Sequence, residues 1–103
     1  MKKDDEIRLL EALANILERQ IEFTRHDDLE ESEKLVGYSE QIAVKIIAAG
    51  LLERPEYDGW RKRLTELYRN LELMLSTQKD AVAVQVKSIN KGRKTLAMYR
   101  NSI

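Results

Sequence analysis

The chain has no cysteine, one proline, one histidine, one tryptophan and one phenylalanine. Without cysteine there is no disulfide framework and no thiolate metal site, which fits a reducing compartment. A single histidine, His26, rules out a histidine-rich metal site and leaves only one residue that could centre a hydrolase triad. Its neighbours Arg25, Asp27 and Asp28 mark His26 as a surface turn residue rather than a catalytic or phosphoacceptor one. No stretch approaches the roughly twenty apolar residues that a membrane span requires. The start, Met1-Lys2-Lys3-Asp4-Asp5-Glu6, turns acidic at once, unlike a signal or transit peptide. The expected location is cytoplasmic, with no membrane insertion.

What the chain does contain is helix-forming sequence. Its 103 residues suffice for one domain, 1–103, with a modest core and not for two. Hydrophobic residues make up 43% and charged residues 35%, a balance typical of long, surface-rich helices. Alternation of β-branched residues is confined to Val82 to Val86, so the class expected is all-α.

The longest helical pattern occupies 58–100. Trp60, Leu64, Leu67, Leu71 and Met74 step by four, three, four and three residues, along one stripe of a helix. Leu75, Val82, Ile89 and Leu96 then repeat every seven residues on a second stripe displaced by one position. A helix of that length spans about 60 Å, more than a compact domain of this size needs. Gly92 is a point where it could kink or loosen.

A first helix is expected over 4–25, capped by Asp4 or Asp5, with Ile7, Leu10, Ala14, Leu17 and Ile21 on its inner stripe. Leu9, Leu13 and Ile16 widen that stripe to suit a bundle interior. Asp28 followed by Glu31 resembles a capping box, so a second helix is expected over 28–49, with a break near His26 preferred to one continuous rod. Gly37 weakens the second helix and is a candidate kink, and Gly50 is the natural residue for its C-terminal end. Between Leu51 and Gly59 lies the only clear connector, where Leu51, Leu52 and Tyr57 should tuck under the bundle end. Either Pro55 or the Asp58-Gly59 pair can open the long helix. The expected architecture is an elongated antiparallel three-helix bundle with a long C-terminal helix, or four helices if that helix kinks or breaks.

Charge is uneven although the formal net charge is zero. Met1 to Asp58 holds 8 basic and 15 acidic residues, and Gly59 to Ile103 holds 10 basic and 3 acidic. The simplest account is an acidic front half folded against a basic helix, whose late cations also suit the helix dipole. Nucleic-acid binding would need basic residues interleaved with stacking aromatics, and Tyr99 with the late cations is a thin basis for it.

Catalytic patterns are missing. The acids Asp27, Asp28, Glu30, Glu31 and Glu33 lack the order and central glycine of a calcium loop. Lys91-Gly92-Arg93-Lys94 lacks the spacing of a phosphate-cradling loop. We expect neither an enzyme nor a cofactor or metal. Recognition by helix faces remains, with Leu75 to Tyr99 exceeding the length that the shorter front helices can cover.

The segment Ile89-Asn90-Lys91-Gly92-Arg93-Lys94-Thr95-Leu96-Ala97-Met98-Tyr99 resembles the tails of flagellar export chaperones of the FlgN and FliT type. In several of these a basic, glycine-containing turn is followed by an apolar residue and a tyrosine. The front segment Gln20 to Leu35, with Asp27-Asp28 between two helices, is similar in layout. The resemblance implies a small all-helical cytosolic protein that holds the C-terminal helical region of a late flagellar substrate, a hook-associated or filament-cap protein, and delivers it to the export apparatus. On that implication the partner groove would be lined by Leu71, Leu75, Val82, Val86, Ile89, Leu96 and Tyr99. Ile89, Leu96 and Tyr99 lie on the matched tail and the others on the helical stripe. Arg93 and Lys94 could contact the export machinery. The chain departs from that family in its shortness and its long connector. The alternative function is a structural or regulatory homo-oligomeric bundle, at its smallest a homodimer.

Overall fold

A computed structural model describes residues 2–77. Four α-helices and two short 3-10 turns follow one another in an up-down-up bundle. The first leg is α1, Lys3–Arg25. The returning leg is α2, Leu29–Lys34, with α3, Val36–Ala48. The 3-10 turns Leu51–Glu53 and Pro55–Tyr57 cross the base, and α4, Asp58–Ser76, runs up again.

Acid at the start and apolar spacing within dictate α1. Asp4, Asp5 and Glu6 fall inside its first turn, where carboxylates offset the helix dipole, and neither aspartate caps it. The position before the helix is Lys2, which makes no side-chain cap. The expected cap is thus corrected: two further acids continue the helix, so its first turn starts ahead of them.

The break near His26 is present. Asp27 adopts the left-handed region at φ 62°, which its short polar side chain tolerates. Asp28 then caps α2 by accepting a hydrogen bond from the Glu31 backbone N–H at 3.4 Å. The helix expected over 28–49 is interrupted, and at Leu35 rather than at Gly37. Leu35 closes α2 with a tight bond from its N–H to the Ser32 carbonyl and opens α3 by accepting from the Ser39 N–H. Ser32 is also drawn to α1: its hydroxyl stands 3.1 Å from that of Thr24, and Gln20 Nε2 donates to its carbonyl at 3.4 Å. Those cross-helix bonds tie α2 to the end of α1.

Gly50 has φ 64°, the left-handed turn that ends the second leg. Pro55 opens the second 3-10 turn, and Leu51, Leu52 and Tyr57 close the base of the core. α4 ends at Ser76, where the hydroxyls of Ser76 and Thr77 bond the carbonyls of Leu73 and Met74. The expected continuation of this helix to Arg100 lies outside the described residues.

The core joins Leu10, Leu13, Ala14 and Leu17 of α1 to Ala43 and Ile46 of α3 and to Leu64, Tyr68, Leu71 and Leu75 of α4. α1 is the shared partner, with substantial interfaces to α2, α3 and α4, whereas α3 and α4 share none of that extent. Successive legs are antiparallel, so α1 and α4 run the same way. The bundle measures 40 × 25 × 19 Å.

Candidate partner-binding surface

Helical spacing sorts the side chains of α4 into inner, flanking and outer positions. Leu64, Tyr68, Leu71 and Leu75 point inward, while Trp60, Leu67 and Met74, seven residues apart, are half-buried on the flank. Leu73 is 58% exposed on the outer side. Leu71 and Leu75, expected in a partner groove, are thus both 0% exposed within the bundle core. Their packing against α1 explains this, since they continue the inner edge of the stripe from Leu64. Val82, Val86, Ile89, Leu96 and Tyr99 lie outside the described residues, as do Gly92, Arg93 and Lys94. The described residues therefore bring two of the seven together, in the interior.

Two shallow grooves flank α1. One, about 310 Å³, is lined by Glu11, Ala14, Asn15, Trp60 and Arg63. Arg63 lies over the Trp60 ring, 5.4 Å from its centroid, and donates to Glu18 at 2.7 Å. Those contacts hold the guanidinium across the α1–α4 flank. The other groove, about 390 Å³, opens between Asp5, Arg8 and Leu9 of α1 and Lys45 of α3. Both are open, shaped for surface contact rather than for enclosing a small molecule.

A perturbed acid lies at the base of the bundle. Glu6 is buried, and accepts from Arg54 Nη1 at 2.5 Å and from the Tyr57 hydroxyl at 2.9 Å. Burial alone would raise its carboxyl, but the hydrogen bonds from Tyr57 and Arg54, with the Arg54 charge, outweigh it and hold the group below its ordinary value. The Tyr57 phenol is pushed up by burial and by its bond to Glu6. Arg61 reinforces the base by pairing with Asp58 and donating to the Leu52 carbonyl at 3.0 Å. This constellation is a strut: Arg54 and Tyr57 both bond Glu6, Arg61 bonds Asp58 and the Leu52 carbonyl, and none of these residues lines either groove.

A second buried polar cluster joins α1 to α2. Thr24 donates to the Gln20 carbonyl at 2.7 Å, and Gln20 Oε1 is buried with no hydrogen-bond partner. Tyr68, also buried, has its phenol pushed up by burial and then by the charge of Glu40.

Among the described residues, no three His, Asp or Glu side chains converge in a way that could hold a metal ion. No described helix is long and apolar enough to cross a membrane. Periodicity alone did not single out Tyr38, 62% exposed, or Val44, 64% exposed, both on α3. The available signal was the scarcity of charge in Val36 to Ala48. In class the molecule is a small all-α helical bundle. No protein-family model matches the chain, and neither a curated protein nor a solved structure does so.

Proposed function

We propose that this chain is a cytoplasmic export chaperone that binds the C-terminal helical region of a late flagellar substrate, a hook-associated or filament-cap protein, and presents it to the export apparatus. One observation carries the reading. The described helices already close a core that uses Leu71 and Leu75, while in the sequence the seven-residue apolar repeat runs on through Val82, Ile89 and Leu96. Apolar sequence beyond what that core consumes is what a helix-binding protein needs. The choice of a flagellar client rests on the resemblance of Ile89 to Tyr99 to the tails of FlgN- and FliT-type chaperones. With Leu71 and Leu75 in the interior, the client-binding residues in this reading are Val82, Val86, Ile89, Leu96 and Tyr99.

Titration calorimetry with C-terminal helical fragments of the hook-associated and cap proteins of the same organism tests it, repeated with Leu96→Ala. Micromolar or tighter binding to one fragment, lost in the variant while the fold is retained, is the expected result. No heat with any fragment from a folded protein would sink the proposal in favour of a homo-oligomeric bundle without a client.

A further inference from the structure

α3 is the least charged of the long helices. Between Val36 and Ala48 only Glu40 and Lys45 are charged, in a chain whose charged fraction is 35%. Its inner edge, Val36, Ser39, Ala43 and Ile46, is buried. A helix packed on one side ordinarily carries its charge on the other. Here the outward edge is Gly37, Gln41, Val44 and Ala48, all exposed and none charged, spaced by four, three and four residues. Two of the three large apolar side chains most exposed on the described surface, Tyr38 at 62% and Val44 at 64%, belong to this one helix. Gly37 is not demanded by the fold either, since a Cβ there would meet nothing within 4 Å.

The two charges are placed to select a partner. When Gly37 and Val44 take the d positions of a seven-residue repeat and Gln41 and Ala48 the a positions, Glu40 is g and Lys45 is e. In a parallel helix pair the g residue of one helix lies beside the next e residue of the other. Glu40 of each copy would then face Lys45 of the second copy, giving two reciprocal ion pairs. Gln41 would meet its own counterpart across the axis, where two amides can exchange hydrogen bonds. An antiparallel pair through the same face would instead match g with g and e with e, and so would not set Glu40 beside Lys45.

We propose that the outward face of α3 is a homodimerisation surface, on which a second copy of this chain lays its own α3 in parallel about a two-fold axis through Gln41 and Val44. Thirteen helical residues span only about 20 Å, and one such face falls short of the ~800 Å² per partner of a stable interface. The dimer is therefore weak and concentration-dependent. It uses none of the residues assigned to client binding, so it stands whether or not the chain is an export chaperone.

Sedimentation velocity of the full chain from low micromolar to millimolar concentration tests this, the mass rising from the 12.0 kDa of one copy towards twice that. Val44→Glu, at an exposed position that leaves the fold intact, should weaken association about tenfold or more. Glu40→Lys and Lys45→Glu should each weaken it about tenfold, and the double exchange should restore it, because the pairs re-form with reversed sign. The absence of native cysteine provides a test of direction: Gln41→Cys, treated with oxidised glutathione, should give a covalent dimer, which an antiparallel or unrelated contact would not. A chain that stays monomeric throughout overturns the proposal. So does a dimer that Val44→Glu leaves intact or that the double charge exchange fails to restore. Unchanged far-ultraviolet circular dichroism in each variant separates these outcomes from unfolding, and the client titration with Leu96→Ala reads a different surface.

Discussion

Arg54 reaches the carboxylate of Glu6 across 48 residues of sequence, Nη1 to Oε2 at 2.5 Å, and so ties the connector beneath α1. The bond lies at the turn between the second and third legs, where Tyr57 donates to the other carboxylate oxygen. A buried carboxylate with two donors is stable only while it is charged and both donors are present.

Acid should therefore loosen the base of the bundle. Because the folded protein holds Glu6 below its ordinary value of 4.5, its contribution is fully present above that pH and is lost as pH falls through the depressed folded value. Urea midpoints measured from neutral pH downwards should fall more steeply in the wild type than in Glu6→Gln. Glu6→Gln should itself be less stable at neutral pH, since the amide loses the charge that Arg54 needs. Equal acid limbs in the two proteins would contradict this assignment.

Alkali acts on Tyr68. Burial and the Glu40 charge raise its phenol above the ordinary 10.0, so its contribution is complete below that pH and declines as pH rises towards the folded value. Thermal melts above about pH 10 should show a smaller loss of stability in Tyr68→Phe than in the wild type. Tyr57, raised in the same direction, contributes a loss common to both proteins.

Leu71 and Leu73 sit two residues apart and should behave oppositely. Leu71→Ala empties a fully buried site and should cost roughly 2–5 kcal/mol in denaturant unfolding. Leu73→Ala, at a 58% exposed position on a helix, should change stability by less than about 0.5 kcal/mol. A small cost at Leu71 would mean that it lines an open groove after all.

Two glycines should respond with opposite sign to alanine. Gly50 has φ 64°, where a Cβ is strained although its nearest contact, Glu53 Oε2 at 3.5 Å, is ordinary. Gly50→Ala should destabilise by about 1 kcal/mol. Gly37 is helical with open space around it, and Gly37→Ala should stabilise the monomer by up to roughly 0.5–1 kcal/mol in thermal unfolding.

Much of this bundle was legible in residue spacing. Leu10, Ala14 and Leu17 in α1 and Leu64 and Leu71 in α4 are core residues because a 3.6-residue period puts them on one face. The chain reversal at Asp27-Asp28, the left-handed Gly50 and the buried Leu51, Leu52 and Tyr57 also follow from local chemistry. The break at Leu35 does not: it adjoins Ser32, whose bonds to Gln20 and Thr24 of α1 are cross-helix contacts that local spacing does not reveal. Leu71 and Leu75 likewise gave no sign in sequence of whether the face they share meets α1 or a partner. An apolar stripe states that something must cover it and not what does.

Sequence by itself determined the all-α class, the first two reversals and the composition of the helix faces, since each depends on neighbours within a turn or two of chain. Tertiary structure alone decided that α1 is the common partner of the other helices and that Glu6, Arg54 and Tyr57 meet at the base. It also decided that the charge-poor outer edge of α3 is left exposed. Those outcomes rest on contacts between residues far apart in the chain, selected by how three amphipathic legs pack together, which no local pattern encodes.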